Sequence, residues 1–176
     1  MKRYIKSILF LSLTALLLCF SACRSKAPSD FSYRQKKFTV RMEGNQYGVD
    51  LSCDICCENG TWKTVSYLSP EPLSGLTVTA LENGDCRVER DGLSACFSMD
   101  DGTFSGLLLP ARVLLLDGVS QPSVRSVQKL TAQLLFSVDL PSQKSPVSLT
   151  LSSDGFPITV TGANFSFHIT PITSAP

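Results

Sequence analysis

Histidine, net charge and long apolar runs are scarce in this chain, and each scarcity excludes a class of function. The one histidine, His168, alternates with Phe167 and Ile169 in a strand-like segment, so we expect it on the opposite, solvent-exposed face of that strand. A histidine-based triad would have to rest on it alone, and no nucleophile elbow accompanies it. No glycine-rich phosphate loop or EF-hand loop is present either. We therefore predict no catalytic residue and do not expect an enzyme.

The charge balance excludes a basic nucleic-acid-binding surface. The formal net charge is +1 at pH 7. Residues 1–22 hold three of the 16 basic residues and no acid, so the rest of the chain has 13 Lys and Arg against 15 Asp and Glu. Binding to the phosphate backbone needs a clear excess of Lys and Arg. We therefore expect no nucleic acid among the partners.

Cysteines are present, but they do not form a recognisable metal site. Five lie beyond the N-terminal region, and an odd number cannot all pair within one chain. They are Cys53, Cys56, Cys57, Cys86 and Cys96. Cys53 and Cys56 have CxxC spacing, but residues three apart on a strand point to opposite faces, so we predict no metal and no cofactor. Disulfides and reduced, buried thiols both remain open.

The longest apolar run, Ile8 to Phe20, has 13 residues. A membrane-spanning helix needs about 20 predominantly apolar residues, so this run is too short. It follows the basic, acid-free stretch from Met1 to Lys6 and ends in the small residues Ser21 and Ala22. That order is typical of a secretion signal.

The residues before Cys23 resemble the lipobox of bacterial lipoproteins, in which a peptidase cuts ahead of a cysteine that carries a diacylglycerol. Ser21 and Ala22 suit the two positions before the cut, whereas Phe20 stands where leucine is usual. We predict that Cys23 is acylated, with palmitate-type chains that contribute about 0.8 kcal/mol per buried methylene. The protein would then be anchored to membrane lipid on the extracytoplasmic face of a bacterial cell membrane. An ordinary cleaved signal peptide and an uncleaved anchor are the alternatives.

These features divide the chain into a lipoprotein signal peptide (1–22), a lipidated tether (23–35) and a single antiparallel β domain (36–176). Five basic residues follow the predicted anchor. They are Arg24, Lys26, Arg34, Lys36 and Lys37. They either attract anionic headgroups, by about 1 kcal/mol each, or only keep a linker soluble.

From Lys36 onward, short runs rich in β-branched and aromatic residues alternate with turn residues. Predicted turns include Glu43-Gly44-Asn45, Asn59-Gly60, Asn83-Gly84-Asp85 and Asp91-Gly92, which supply the positive φ of tight hairpins. We predict a mainly β fold, a curled antiparallel sheet of about ten strands with one or two short helices. Pro110 to Asp117 is the predicted helix, with a strand as the alternative.

The turn at Asn59-Gly60 fixes a register for the flanking strands. It predicts the pairs Cys57 with Trp62, Ile55 with Thr64, Cys53 with Ser66, and Leu51 with Leu68. Val49, Leu51, Cys53, Ile55 and Cys57 would then share a face with Trp62 and Leu68. We expect this face to be a wall of the core.

Several segments together resemble the LolA-like and LppX-like superfamily of lipoprotein carriers, particularly small lipoproteins of clostridial type. They are the strand from Trp62 that continues through Tyr67 to Leu76, the turn at Asp91-Gly92-Leu93, the helix start at Leu109-Pro110, and the stretch Leu149 to Thr170 with Asp154-Gly155-Phe156-Pro157.

The resemblance implies a half-open antiparallel barrel whose concave side is plugged by helices and holds a lipid or other hydrophobic ligand. The residues that it implies as lining are Val49, Leu51, Leu68, Leu73, Leu114 and Phe136. A β domain of this size also needs such residues for its core. The alternative function is therefore a non-catalytic structural or interaction module of the cell envelope with a fully packed core.

Overall fold

The computed structural model describes residues 31–99, 105–116 and 122–174. The predicted signal peptide, the acylation site Cys23 and most of the predicted tether lie outside these residues. Within them, no helix has both the length and the apolar character that crossing a membrane requires.

Eleven antiparallel strands form one sheet in the described part of the chain. The strands are β1 (Phe38–Gln46), β2 (Val49–Glu58), β3 (Thr61–Ser69), β4 (Thr77–Ala80), β5 (Asp85–Arg90), β6 (Leu93–Ser98), β7 (Ser123–Lys129), β8 (Gln133–Asp139), β9 (Val147–Ser152), β10 (Pro157–Gly162) and β11 (Phe165–Ser174). Their order is β6-β5-β4-β3-β2-β1-β11-β10-β9-β8-β7, so two meanders meet where β1 pairs with β11. The predicted mainly β, antiparallel fold is confirmed.

The α-helix α1 (Ser105–Leu114) packs against this sheet and contacts both β3 and β10. These two strands are four strand spacings apart in the sheet, which would be about 19 Å if the sheet were flat. An α-helix with its side chains is only about 10–12 Å across. The sheet must therefore curve around α1, as the predicted half-barrel requires.

The concave face holds the core, and side chains alternate between the two faces along each strand. On β2, Leu51, Cys53, Ile55 and Cys57 are buried while their neighbours are partly exposed. The outer face carries polar pairs instead. Arg41 donates two hydrogen bonds, of 2.8 and 3.0 Å, to the carboxylate of Asp54 directly across the β1–β2 ladder. His168 is exposed on this outer face, as predicted.

The predicted turn at Glu43-Gly44-Asn45 is wrong. β1 continues to Gln46, and the turn lies at Tyr47-Gly48, both of which have positive φ. Gly44 is needed for a different reason, since a Cβ there would lie 1.9 Å from the carbonyl oxygen of Ser166 on β11. The glycine allows β1 and β11 to approach closely at the junction of the two meanders.

The predicted register of β2 and β3 holds only next to the turn. Cys57 pairs with Trp62 as expected, but a β-bulge between Cys56 and Cys57 shifts the pairs from Cys56 to Cys53 by one residue, and a second irregularity follows between Ser52 and Cys53. Ile55 therefore pairs with Val65, and Cys53 with Tyr67. A one-residue shift exchanges the faces of a strand. It buries Tyr67 and leaves Leu68 42% exposed, so the predicted core position of Leu68 is wrong.

The predicted helix is present but begins earlier than the sequence suggested. α1 starts at Ser105 instead of Pro110, and it ends at Leu114, shortly before Leu116 takes a positive φ of 56°. Pro110 thus lies inside the helix, where it cannot donate to the carbonyl of Gly106. The side-chain Nε2 of Gln46 donates to that carbonyl instead, at 2.9 Å.

The last residues of the predicted tether belong to the folded domain. Ser32–Gln35 forms a 3₁₀ helix in which Tyr33 and Arg34 are buried, and Phe31 before it is buried as well. The domain therefore includes residues 31–35, ahead of the predicted boundary at Lys36. Arg34 is 5% exposed, so it is not available to a membrane surface as the basic run suggested.

Candidate functional site

A cavity of about 550 Å³ lies between α1 and one end of the sheet. The turn between β2 and β3 and the residues that follow β4 form its rim, and α1 forms its floor. Its apolar lining consists of Trp62, Ala80, Leu81, Met99, Leu108, Ala111 and Leu115. Its remaining lining residues are Gly60, Thr61, Lys63, Glu82 and Arg112. Cavities of about 300–1,000 Å³ with mostly apolar walls are typical of small-molecule sites.

The spacing of residues on α1 explains how one face of the helix lines the cavity. Leu108, Ala111, Arg112 and Leu115 are separated by three, four and seven positions, which places them on one side of a helix. The amide of Leu115 still donates to the carbonyl of Ala111, at 3.1 Å, so this side continues just past the last helical residue. Leu108, Ala111 and Leu115 are 4%, 0% and 3% exposed, so this side of the helix belongs to the packed core as well as to the lining of the cavity.

Two tyrosines hold α1 in place over the sheet. The hydroxyl of Tyr33 donates to the carbonyl of Leu114 at 2.7 Å, and the hydroxyl of Tyr67 donates to the carbonyl of Leu107. The Leu114 carbonyl lies at the C-terminal end of the helix, where no backbone N–H of the helix is available to donate to it. Burial raises the pKa of both tyrosines. Each hydroxyl therefore stays protonated and can donate across the physiological pH range.

Away from the cavity, the concave face of the sheet is filled by aromatic rings. Phe31 packs against Phe136 with ring centroids 5.1 Å apart, and Phe156 meets Phe38 at 5.5 Å and Tyr33 at 6.3 Å. The two Phe156 pairs meet edge to face and the Phe31–Phe136 pair is tilted at 57°, and aromatic pairs at such distances contribute beyond their buried area. We call these five residues the aromatic plug. The plug is contributed by the 3₁₀ helix segment, β1, β8 and the residue before β10.

None of the six residues predicted to line a ligand site borders the cavity. Three are core residues in the structure: Leu51, Leu114 and Phe136 are 7%, 0% and 0% exposed. Leu73 is partly buried against the core, whereas Val49 and Leu68 are 50% and 42% exposed. The sequence signals for the actual lining were the single tryptophan beside the Asn59-Gly60 turn and the helical spacing of Leu108, Ala111 and Leu115.

The five cysteines of the domain are free thiols. Cys53 and Cys57 are buried on the concave face, and burial raises the pKa of each to about 12. Cys56 is partly exposed on the opposite face, as the CxxC spacing on a strand predicts. Among the residues that the structure describes, no group of three or more His, Cys, Asp or Glu is placed to hold a metal ion.

No protein-family model and no curated protein matches the sequence. Among solved structures, an uncharacterized conserved protein from Thermus thermophilus is similar to this chain with a TM-score of 0.51 and 10% identity, over 83% of this chain and 88% of that chain. A LolA superfamily protein from Nitrosomonas europaea aligns with a TM-score of 0.41 and 10% identity, over 81% of this chain and 88% of that chain. At so low an identity, the likeness to the Thermus protein shows a shared fold and nothing more.

Proposed function

We propose that the protein is a non-catalytic, membrane-anchored lipoprotein of the extracytoplasmic side that binds a lipid or other hydrophobic ligand in its half-barrel. The observation that carries the binding function is the cavity of about 550 Å³ between α1 and the β2–β3 turn. A sheet that curves around one helix could be packed throughout, and the aromatic plug packs one side of it. The other side keeps an apolar space of ligand size.

The distribution of charge at the cavity favours an amphiphile over a purely apolar ligand. Trp62, Leu81 and Leu115 provide apolar walls, and the cationic side chains of Lys63 and Arg112 also line the cavity. Glu82 is the one acidic residue of the lining. An acyl chain with an anionic head would place its chain against the apolar walls and its head near Lys63.

The single tryptophan of the chain permits a direct test of binding. Trp62 lines the cavity and no other tryptophan contributes to the emission. We expect stearic acid brominated on its chain to quench the fluorescence of residues 24–176, produced without the anchor, with saturable concentration dependence. Quenching that rises linearly without saturation would contradict the proposal.

A variant that fills the cavity provides the matched control. Ala80→Phe places a ring in the cavity from the end of β4, where Ala80 is only partly buried, and we expect it to abolish saturable quenching while the protein stays folded by circular dichroism. Ala163→Phe adds the same ring at an exposed turn between β10 and β11 and should bind like the parent. Equal quenching in both variants would place the ligand elsewhere and favour the packed interaction module.

The anchor needs its own experiment, because Cys23 lies outside the described residues. We expect palmitate labelling of the full chain in a bacterial host and loss of that label in Cys23→Ala. Unchanged labelling in Cys23→Ala would contradict acylation at this position. Cys19→Ala, four residues upstream, is the matched control and should keep the label.

A further inference from the structure

The predicted tether joins the domain beside the cavity. A Cβ at Gly60, on the cavity rim, would lie 3.8 Å from the carbonyl oxygen of Arg34 in the 3₁₀ helix. The hydroxyl of Tyr33 in the same helix donates to the carbonyl of Leu114, one residue before Leu115 of the cavity lining. The 3₁₀ helix that opens the described chain is therefore a neighbour of both the rim and the floor of the cavity.

The register of the strands shows which end of the sheet carries the rim. Phe38 at the start of β1 pairs with Cys57 near the end of β2, and β4 ends beside the start of β3. In a meander, successive connections alternate between the two ends of the sheet. The near end holds the 3₁₀ helix and the connections 59–60, 81–84, 130–132 and 153–156. The far end holds the connections 47–48, 70–76, 91–92, 140–146 and 163–164.

The length of the tether favours the near end as the side that faces a membrane. Phe31 follows Cys23 by eight positions, and eight residues span at most about 26–29 Å. The nine residues of β1 rise about 30 Å from the near end to the far end. With the near end on the bilayer, the tether reaches it without stretching. With the far end there, the same eight residues would have to be almost fully extended along the domain.

The exposed charges at the two ends have opposite excess. At the near end the exposed charged residues are Lys36, Lys37, Lys63 and Lys129 against Glu82 and Asp154. At the far end they are Arg125 and Lys144 against Asp50, Glu71 and Asp91. Partly exposed residues add one net negative charge at each end and keep the difference. They are Glu58, Asp85 and Arg112 at the near end and Glu89, Arg90 and Asp139 at the far end. Anionic headgroups attract basic residues held close to a bilayer.

We propose that the near end rests on the bilayer that holds the anchor, with the rim of the cavity against an anionic lipid surface. The inference rests on the proposed function, because it requires an acylated Cys23. In this orientation a ligand passes between bilayer and cavity without exposing its chain to water. Exposed apolar side chains of the far end, Tyr47, Val49 and Leu93, then face the aqueous side. Their insertion into the bilayer is the contrary outcome that the experiment must detect.

A tryptophan placed at either end measures the orientation. With Trp62→Phe as background in the full acylated chain, Gln35→Trp puts the only tryptophan beside the rim and Tyr47→Trp puts it at the far end, both at exposed positions. In vesicles of phosphatidylglycerol brominated near the headgroup, we expect quenching at least about twofold stronger for Gln35→Trp, because the two positions differ by about 30 Å in height. Equal quenching, or stronger quenching of Tyr47→Trp, would overturn the proposal.

Reversal of one charge at each end tests the contribution of the lipid headgroups. Lys63→Glu at the near end should lower the quenching of Gln35→Trp about twofold in phosphatidylglycerol vesicles. Lys144→Glu makes the same change at an exposed far-end position and should leave that quenching unchanged. An effect of Lys144→Glu as large as that of Lys63→Glu, or no effect of either variant, would contradict docking of the near end on an anionic surface.

Two controls separate this inference from the proposed function. A full chain that does not float with the vesicles in a density gradient would overturn the anchor and this orientation together. Ala80→Phe fills the cavity and should leave the difference between the two tryptophan positions unchanged, because the orientation does not depend on a bound ligand. Loss of that difference in Ala80→Phe would overturn the orientation. Failure of stearic acid to quench Trp62, with the difference intact, would overturn ligand binding alone.

Discussion

The two sides of the concave face differ in what fills them. On the side of β8 to β10, the aromatic plug closes the space with five packed rings. On the side of β2 to β4, a cavity of about 550 Å³ lies between α1 and the residues around Trp62 and Leu81. The same curled sheet therefore has a packed core on one side and a cavity on the other.

The difference teaches that the helix and the plug have separate roles. Tyr33 connects the two, because its ring packs on Phe156 of the plug while its hydroxyl donates a hydrogen bond to the carbonyl of Leu114 at the end of α1. Tyr33 therefore connects the end of the helix to the packing of the plug. None of the five plug residues lines the cavity.

Alkaline pH should have the largest effect, and it should act on the cavity side. All five thiols of the domain lie on β2, β5 and β6. Burial raises the pKa of Cys53 and Cys57 to about 12, above the unfolded value of about 8.5. The unfolded chain loses these protons first, so the stability is fully present below about pH 8.5 and is lost as pH rises toward 12.

Thermal unfolding between pH 7 and 11 measures this loss. Burial also raises the pKa of Tyr33 and Tyr67, which act in the same direction at still higher pH. The double variant Cys53→Ala, Cys57→Ala should lose less stability than the parent between pH 8.5 and 11, and the Cys86 thiol, whose pKa burial also raises, accounts for part of the loss that remains. A parent melting temperature that stays flat from pH 8.5 to 11 would contradict the burial of the two thiols.

Truncation within the plug should cost more than truncation at the cavity wall. Phe136 is 0% exposed and packs against Phe31, so Phe136→Ala should lower the free energy of unfolding by about 3–5 kcal/mol. Leu115→Ala removes a side chain that already borders empty space, and we expect a loss near 2 kcal/mol, the low end for such changes. Urea unfolding measures both. A larger loss in the free energy of unfolding for Leu115→Ala than for Phe136→Ala would contradict the conclusion that the plug is the packed side and the cavity the open side.

The sequence predicted the fold better than it predicted the site. Strand runs and turn residues identified the antiparallel sheet because hairpins such as Asp91-Gly92 are specified locally. The register beyond the bulge at Cys56 depends on contacts between distant strands, and the pattern around Leu68 did not reveal it. The start of α1 was missed for a similar reason. Proline is normally placed in a first turn, and the carbonyl that Pro110 leaves without a helical donor, that of Gly106, accepts a hydrogen bond from Gln46, 60 residues away in the sequence.

The cavity was missed because its lining comes from segments that are far apart in the sequence. Trp62, Leu81 and Leu108 approach each other only after the sheet has curled. The resemblance pointed to large apolar residues such as Leu114 and Phe136, which are the residues that a core needs first. The helical spacing of Leu108, Ala111 and Leu115 was a local signal, but it does not distinguish a cavity wall from a packed core.

Removing a single tyrosine hydroxyl should have a smaller effect than truncating the plug. Tyr33→Phe keeps the ring but leaves the Leu114 carbonyl without its partner, so we expect a loss of about 1–3 kcal/mol in the free energy of unfolding. Tyr67→Phe removes the bond to Leu107 and should cost a similar amount. Tyr47→Phe, at a 65% exposed position, is the control and should be neutral.

The smallest expected effect is on ligand affinity at the cavity rim. Lys63 is exposed and lines the cavity, so its attraction to an anionic head is reduced by solvent. We expect Lys63→Gln to weaken binding of brominated stearic acid about two- to fivefold, in the range of an exposed ion pair. The difference in affinity between parent and variant should shrink as salt is added, because screening weakens the attraction in the parent.

Lys129→Gln, on the edge strand β7, removes the same charge far from the cavity and should leave the affinity unchanged. Equal weakening in both variants would mean that the ligand responds to overall charge and not to the rim of the cavity.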